Sequence, residues 1–274
     1  MRIVFFTREG FQSNELFLYM FAMVADRFPD LHIVAVRPQR QRGRVISSFW
    51  RRYWKKIRRL GIVNTLEIFS SYPLQVFVLS QDYKLVQQML RALSRPAVSW
   101  ERHHARYVHT INGVDAVQAI CDLAPDVIIQ AGAGILRPQL FKLAHLGTVN
   151  LHHGMAPRIR GMHSIYWALW ERRPDWLGAT VHWIDEGIDT GDVLAYAPVE
   201  SLTSGEGYPA LYVRATQQGV ERLVETLARL AAGERWVISP PTHTSVYRST
   251  MSGWKLMALR CWLACQRVYY QQVL

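Results

Sequence analysis

The sequence of 274 residues is poor in cysteine, with three, and poor in acid, with 21 aspartates and glutamates against 32 lysines and arginines. Cys121, Cys261 and Cys265 are an odd number without paired metal-ligand spacing, which argues against a disulfide framework or a zinc site, and no metal is expected. Cys121 stands in an apolar helical pattern and reads as a buried free thiol. No run approaches the ~20 apolar residues that a membrane span needs. The five residues between Arg2 and Arg8 are too few for a signal-peptide core, so a cytoplasmic protein without a membrane span is expected. Internal repeats and low-complexity tracts are missing, and so is a Gly-x-Gly-x-x-Gly turn after the first strand-like run, which leaves a dinucleotide cofactor unsupported.

The shortage of acid gives a net charge of +11, and the excess is concentrated: residues 37–60 hold ten arginines and lysines and no acid. Such a cluster can attract the phosphates of a nucleotide-linked substrate, RNA, or an anionic membrane surface. The plainer alternative is a solvated basic helix face whose Ile46, Trp50, Tyr53 and Ile57 pack inward at helical spacing.

What is present alternates between helix and strand. Residues 2–6 read as a buried strand, 14–27 as an amphipathic helix with Ser13 as its N-cap, and 31–36 as a second strand. Residues 43–100 hold the basic segment, an apolar stretch at 62–79 and a helix from Tyr83 to Leu93, in an order the pattern does not fix. Beyond Arg106 come a helix at 114–123, a strand at 126–130, a short helix at 138–143, and a strand at 148–152. A helix at 163–172, strands ending at Ile184 and spanning 193–197, and helices at 208–232 and from Gly253 to about Tyr270 complete the chain. This is an α/β pattern, the doubly wound and mostly parallel sheet, with a short helical C-terminal extension. The division expected is a catalytic domain over 1–235, with 37–60 as a possible insertion, and an extension over 236–274.

The chemistry-bearing stretch is Gly147-Thr-Val-Asn-Leu-His-His-Gly-Met-Ala-Pro-Arg-Ile-Arg-Gly161, followed by Ile184-Asp-Glu-Gly-Ile-Asp-Thr-Gly-Asp192. Asn150 and His152 are two apart on a strand and leave the same face, while Gly187 and Gly191 permit a tight loop that presents Asp189. An amide, an imidazole and a carboxylate suit acyl transfer. Asn150 and a protonated His152 would bind the developing oxyanion, and Asp189 would raise the His152 pKa and accept the amine proton. His153 points to the opposite face and reads as a packed or hydrogen-bonded histidine. His163 and His182 are candidates for lining the acceptor pocket, with Arg160 beside them.

The Asn-x-His strand end, the Pro-Arg-x-Arg-Gly loop and the Asp-Glu-Gly-x-Asp-Thr-Gly-Asp loop, preceded by Pro125-Asp-Val-Ile-Ile-Gln-Ala-Gly-Ala-Gly-Ile-Leu136, together resemble the 10-formyltetrahydrofolate-dependent formyltransferase family. The resemblance covers residues 108–200 well and implies the Rossmann-like fold of that family. It also implies 10-formyltetrahydrofolate as formyl donor, the same three catalytic residues, and pterin contacts from Gly134, Ile135, Leu136, Asp185 and Glu186. The acceptor expected is the primary amine of a small molecule, an amino-sugar nucleotide or another amine of specialised metabolism, with phosphate among the groups it can bear. The alternatives are an aminoacyl-tRNA, where nucleic acid would be the partner; hydrolysis of the formyl-folate; or an inactive binding module on the same fold. Methionyl-tRNA formyltransferases carry a C-terminal β-barrel, for which some forty residues are too few.

Overall fold

The computed structural model describes residues 1–37, 61–103, 105–199, 206–240 and 244–273. The basic segment therefore lies, beyond Arg37, outside the described residues. In chain order the elements are β1 (Ile3–Arg8), α1 (Glu15–Arg27), β2 (His32–Val36), α2 (Ile62–Ser70), α3 (Tyr72–Ala92), β3 (Ala105–Val108), α4 (Val114–Leu123), β4 (Val127–Gln130), α5 (Pro138–Phe141) and β5 (Gly147–His152). They continue with β6 (Ile159–Gly161), α6 (Ser164–Trp170), β7 (Gly178–Trp183), β8 (Val193–Pro198), α7 (Tyr208–Ala231), β9 (Val246–Arg248) and α8 (Gly253–Val273).

Seven strands form one sheet in the order β3-β2-β1-β4-β5-β7-β8, with β6 and β9 pairing separately. The first five are parallel, β7 runs antiparallel to β5, and β8 runs antiparallel to β7. Strands covered by helices on both faces need apolar side chains at every position, and β1 shows it. Ile3 and Phe5 pack into a core with Phe21 and Val24 of α1 and Val220, Leu223 and Leu227 of α7. Val4 and Phe6 face the other way, against Ala116 and Ile120 of α4 and Leu140 of α5. This is the doubly wound sheet that the alternating pattern calls for. A third cluster joins Ile159 and Ile165 to Met251, Leu256 and Leu259, so α8 is packed into the body beside α3 and α6. No helix among the described residues is long and apolar enough to cross a membrane.

Three local readings are corrected. Asn14, not Ser13, caps α1, because Phe11–Ser13 closes a one-turn 3-10 helix first; Asn14 is then extended and its Oδ1 accepts from the Leu16 N–H at 3.1 Å. Cys121 is exposed, because α4 turns Ala116, Ala119, Ile120 and Leu123 to the sheet and leaves position 121 off that stripe. The helix expected from Tyr83 starts eleven residues earlier, at Tyr72, with Pro73 in its first turn.

His153 is packed and hydrogen-bonded, as expected. It follows the last residue of β5, hydrogen-bonds Thr216 Oγ1 at 2.8 Å and stacks on Tyr212 with centroids 4.2 Å apart. Burial, with a smaller push from His152, lowers its pKa to about 3. The unfolded chain, with an ordinary value near ~6.5, therefore binds more protons than the folded one as pH falls from about 6.5 toward 3, and stability drops with pH across that window at about 1.4 kcal/mol per unit for this one ring. The expected result for His153→Phe, which keeps the stacking, is a shallower loss of unfolding free energy between pH 6 and 4, read by urea denaturation. An unchanged slope would show that the ring is not held neutral.

Candidate active site

The site is built where β5 ends between a parallel and an antiparallel neighbour. Gln130 of β4 pairs with Asn150 on one side, and His182 of β7 pairs with Asn150 on the other. This register brings together groups 20 to 32 residues apart in the chain. The Asn150 side-chain nitrogen lies 3.2 Å from His182 Nε2, and His182 Nδ1 lies 2.7 Å from the Trp183 carbonyl oxygen. A ring nitrogen facing a carbonyl must carry the proton, so Nδ1 donates and Nε2 accepts from the Asn150 amide. Asn150 is thereby oriented with its NH2 toward His182.

Asp189 completes the group from the β7–β8 loop. Its Oδ2 accepts the Gly161 N–H at 2.9 Å and lies 3.4 Å from His152 Nδ1, while its Oδ1 lies 3.6 Å from His182 Nε2. All three side chains are nearly closed off, with 14 % of Asp189, 7 % of His152 and 3 % of His182 exposed. Asp189 sits at φ 51, a left-handed conformation uncommon outside glycine and asparagine-like residues, and one that turns its carboxylate back into the cluster. Glycine is required opposite it. A Cβ on Gly161, at φ 100, would collide with the Arg248 carbonyl oxygen and break the β6–β9 pairing that aims the Gly161 N–H. On the other flank Ser164 Oγ approaches His152 Nε2 at 3.3 Å, and a Cβ on Gly154 would come within 2.8 Å of that same nitrogen.

The electrostatics differ from the expectation for His152. Burial is the largest influence and pushes its pKa down, more than the Asp189 carboxylate pulls it up, so the imidazole is neutral at neutral pH. Burial also pushes Asp189 toward protonation, but His152 and the Gly161 N–H hold its carboxyl well below the usual carboxylate range. The resting pair is a carboxylate beside a neutral imidazole. With Nδ1 turned to Asp189, the proton belongs on Nδ1 and the lone pair on Nε2, which makes His152 a base rather than a donor of positive charge.

The other expected site residues are placed as follows. The loop from 131 to 136 leaves β4 next to Asn150, and side chains tie its carbonyls: Thr7 to Ala131, Arg8 to Ala133, Gln130 to Gly134 and Asn112 to Ile135. The Ile135 side chain is 76 % exposed, an apolar surface open to a flat heterocycle, whereas Leu136 is buried in the core against β1 and α4. Asp185 folds its own loop, accepting from the Gly187 N–H at 3.0 Å and Thr190 Oγ1 at 2.6 Å. Glu186 is exposed and pairs with Lys142 at 3.2 Å. Arg160 laces the Asp189 loop to the chain after it, through Ser245 Oγ at 2.6 Å and the Ile188 carbonyl at 2.9 Å. His163 opens α6 at φ 60, and its Nδ1 accepts from the Met251 N–H at 3.3 Å; burial lowers its pKa to about 4. It is committed to packing α8. His182 stands beside Asn150 and Asp189, a placement that its β7 register against Asn150 determines and that spacing along the chain does not reveal. Ser164 and the Gly161 N–H carry no signal in a sequence reading.

A family model described as formyl transferase matches residues 72–227, more than half of the chain, so the chain belongs to that family. It is 36% identical over 148 residues to a methionyl-tRNA formyltransferase of Anaeromyxobacter dehalogenans, covering 52% of this chain and 47% of the relative. It is 40% identical over 114 residues to one of Koribacter versatilis, covering 40% of this chain and 35% of that one. The chain thus spans about half the length, or less, of these curated relatives. In fold it is similar to a sugar N-formyltransferase from Shewanella, with a TM-score of 0.53 at 15% identity over 91% of this chain and 76% of the other. It is similar too to a 4-N formyltransferase from Francisella tularensis, with a TM-score of 0.50 at 15% identity over 90% and 76%.

Because the carboxylate is the group that draws a proton toward His152, Asp189→Asn should lower the pKa of that imidazole further. Ring carbon chemical shifts followed through a pH titration read this directly. A rise, or no movement, would mean that Asp189 is not its electrostatic partner.

Proposed function

We propose that this formyl transferase moves a formyl group from 10-formyltetrahydrofolate to the primary amine of a small-molecule acceptor, with Asn150, His152 and Asp189 as the catalytic residues. The observation that carries the reading is the closed cluster of amide, neutral imidazole and ionised carboxylate at the end of β5. Attack by an amine on the formyl carbon places negative charge on its oxygen and positive charge on nitrogen. The Asn150 NH2, already oriented by His182, is the donor for that oxygen. His152 Nε2 takes the proton from the attacking nitrogen, and Asp189 stabilises the imidazolium as it forms. The same proton then passes to N10 of the folate as the C–N bond breaks, so no covalent intermediate with the protein is needed.

The donor fits the loops around the cluster: Ile135 offers an exposed apolar side chain beside backbone fixed by Thr7, Arg8, Gln130 and Asn112, and the 185–189 loop closes the opposite side. In this reading Gly134, Leu136, Asp185 and Glu186 contribute main chain and loop shape. The low exposure of Asp189 and His152 favours an amine carried on a slim arm, and the charge of +11 favours an acceptor that bears phosphate. A second acceptor class, an aminoacyl-tRNA, is favoured by the similarity to methionyl-tRNA formyltransferases and by the acid-free basic segment.

The test is to incubate the protein with 10-formyltetrahydrofolate and a panel of amines, among them amino-sugar nucleotides and charged tRNA, and to follow release of tetrahydrofolate. Amine-dependent release with small acceptors is expected. Release without any amine would instead make the protein a hydrolase, and turnover with charged tRNA alone would move it to the second class. Asn150→Ala, His152→Ala and Asp189→Ala should each lower the rate by ~10²–10³ or more while the fold stays intact. A near-normal rate for His152→Ala would overturn its assignment as base.

The rate should also rise with pH as His152 and then the acceptor amine lose their protons, and should not fall again through pH 8, because the lowered His152 pKa leaves no imidazolium there to titrate. A descending limb just above neutrality would restore a protonated His152 as the working form.

A further inference from the structure

We propose that α2 and α3 form a docking surface for an anionic lipid membrane. The two helices meet at Ser71 and expose Ile62, Val63, Leu66, Tyr72, Val76 and Phe77, with Val63 79 % and Ile62 61 % accessible. On α3, Tyr72, Val76 and Tyr83 recur at spacings of four and seven and so lie along one outward stripe. A soluble helix pair would carry acids and bases at such positions. Here no exposed residue of α2 or α3 is acidic, while Lys84 and Arg91 are exposed. The two acids these helices do hold are turned away. Glu67 is bound by Lys255 at 2.9 Å and by Ser252 Oγ at 2.6 Å, and Asp82 is buried and accepts from the Tyr166 hydroxyl at 2.7 Å.

Charge complementarity decides the occupant. No acid occurs among the 36 residues between Asp30 and Glu67, and the stretch 37–60 that precedes α2 contains ten arginines and lysines. Exposed aliphatic and aromatic side chains on helices that follow a densely basic stretch of sequence match the interface of an anionic bilayer, which takes apolar groups into the headgroup boundary and attracts cations to its surface. RNA would use the cations and stack on aromatic rings, but it gains nothing from exposed isoleucine, valine and leucine. A second copy of this chain would set one acid-free, basic sequence against another. The inference does not depend on the reaction assigned to the site, so neither stands or falls with the other.

The experiment is co-sedimentation of the full chain with vesicles of phosphatidylcholine alone and of phosphatidylcholine mixed with phosphatidylglycerol. Binding to the mixed vesicles and not to the neutral ones is expected, weakening with salt. The double substitution Val63→Asp with Phe77→Asp should reduce that affinity by about tenfold or more, since it removes buried apolar area and adds repulsion. Both positions are exposed, so thermal unfolding by circular dichroism should be unchanged, which separates lost docking from lost fold. Failure to bind anionic vesicles would overturn the proposal. Undiminished binding by the double variant would also overturn it, because another surface would then be responsible. So would a dimer of the unsubstituted chain that the same two changes dissociate, or salt-sensitive RNA binding without vesicle binding.

Discussion

A buried carboxylate is tolerated only where partners replace the water it loses, and the site is organised around that requirement at Asp189. One oxygen takes the Gly161 N–H and faces His152, and the other faces His182. Each partner comes from a different element, so the carboxylate fixes the relation of β5, the β6 turn, β7 and its own loop at once. The left-handed backbone at Asp189, the glycine at 161 and the Arg160 bonds to Ile188 and Ser245 all serve that one placement. Loss of any of them would leave a charge without its shell, which costs far more than the loss of a surface ion pair.

The sheet supplies the rest of the constraint. A purely parallel sheet would continue with a strand whose end points the same way as β5, whereas the antiparallel turn of β7 lays His182 directly across from Asn150. Asn150 is thereby held by a neighbouring ring instead of being free to rotate. Depth in the sheet is also what keeps His152 neutral: the desolvation that comes with a closed site outweighs the nearby negative charge. Chemistry and burial are therefore linked. In the proposed reaction, the closure that would let a single amide donor act strongly on an oxyanion also makes the imidazole a base.

Much of this was legible in the chain, and the parts that were not have physical causes. Buried parallel strands such as β1 and β4 announce themselves as short apolar runs, and Asn150, His152 and Asp189 stand out through strand alternation and a glycine-flanked loop. The edge strand β3 does not, since Ala105-Arg-Tyr-Val108 is largely exposed and reads as loop. The three-residue strands β6 and β9 exist only through pairing across 87 residues, which no local pattern encodes. The α2–α3 pair was blurred because its apolar residues are on the outside, so periodicity could not separate core from surface. His182 is a candidate in the sequence, but its contacts with Asn150 and Asp189 depend on strand register, which local pattern does not encode. The sign of the His152 shift was missed for a related reason: proximity of a carboxylate is visible in sequence, depth of burial is not.

The most direct test of a single unit made from Asp189 and His152 is a double-mutant cycle on the rate of formyl transfer, using Asp189→Asn, His152→Gln and the two together. If the carboxylate acts through the imidazole, the second substitution removes little that the first has not already removed, and the double variant should be about as slow as the slower single one. Rate losses that multiply across the two positions would mean that Asp189 and His152 act independently, and would contradict a site organised around their contact.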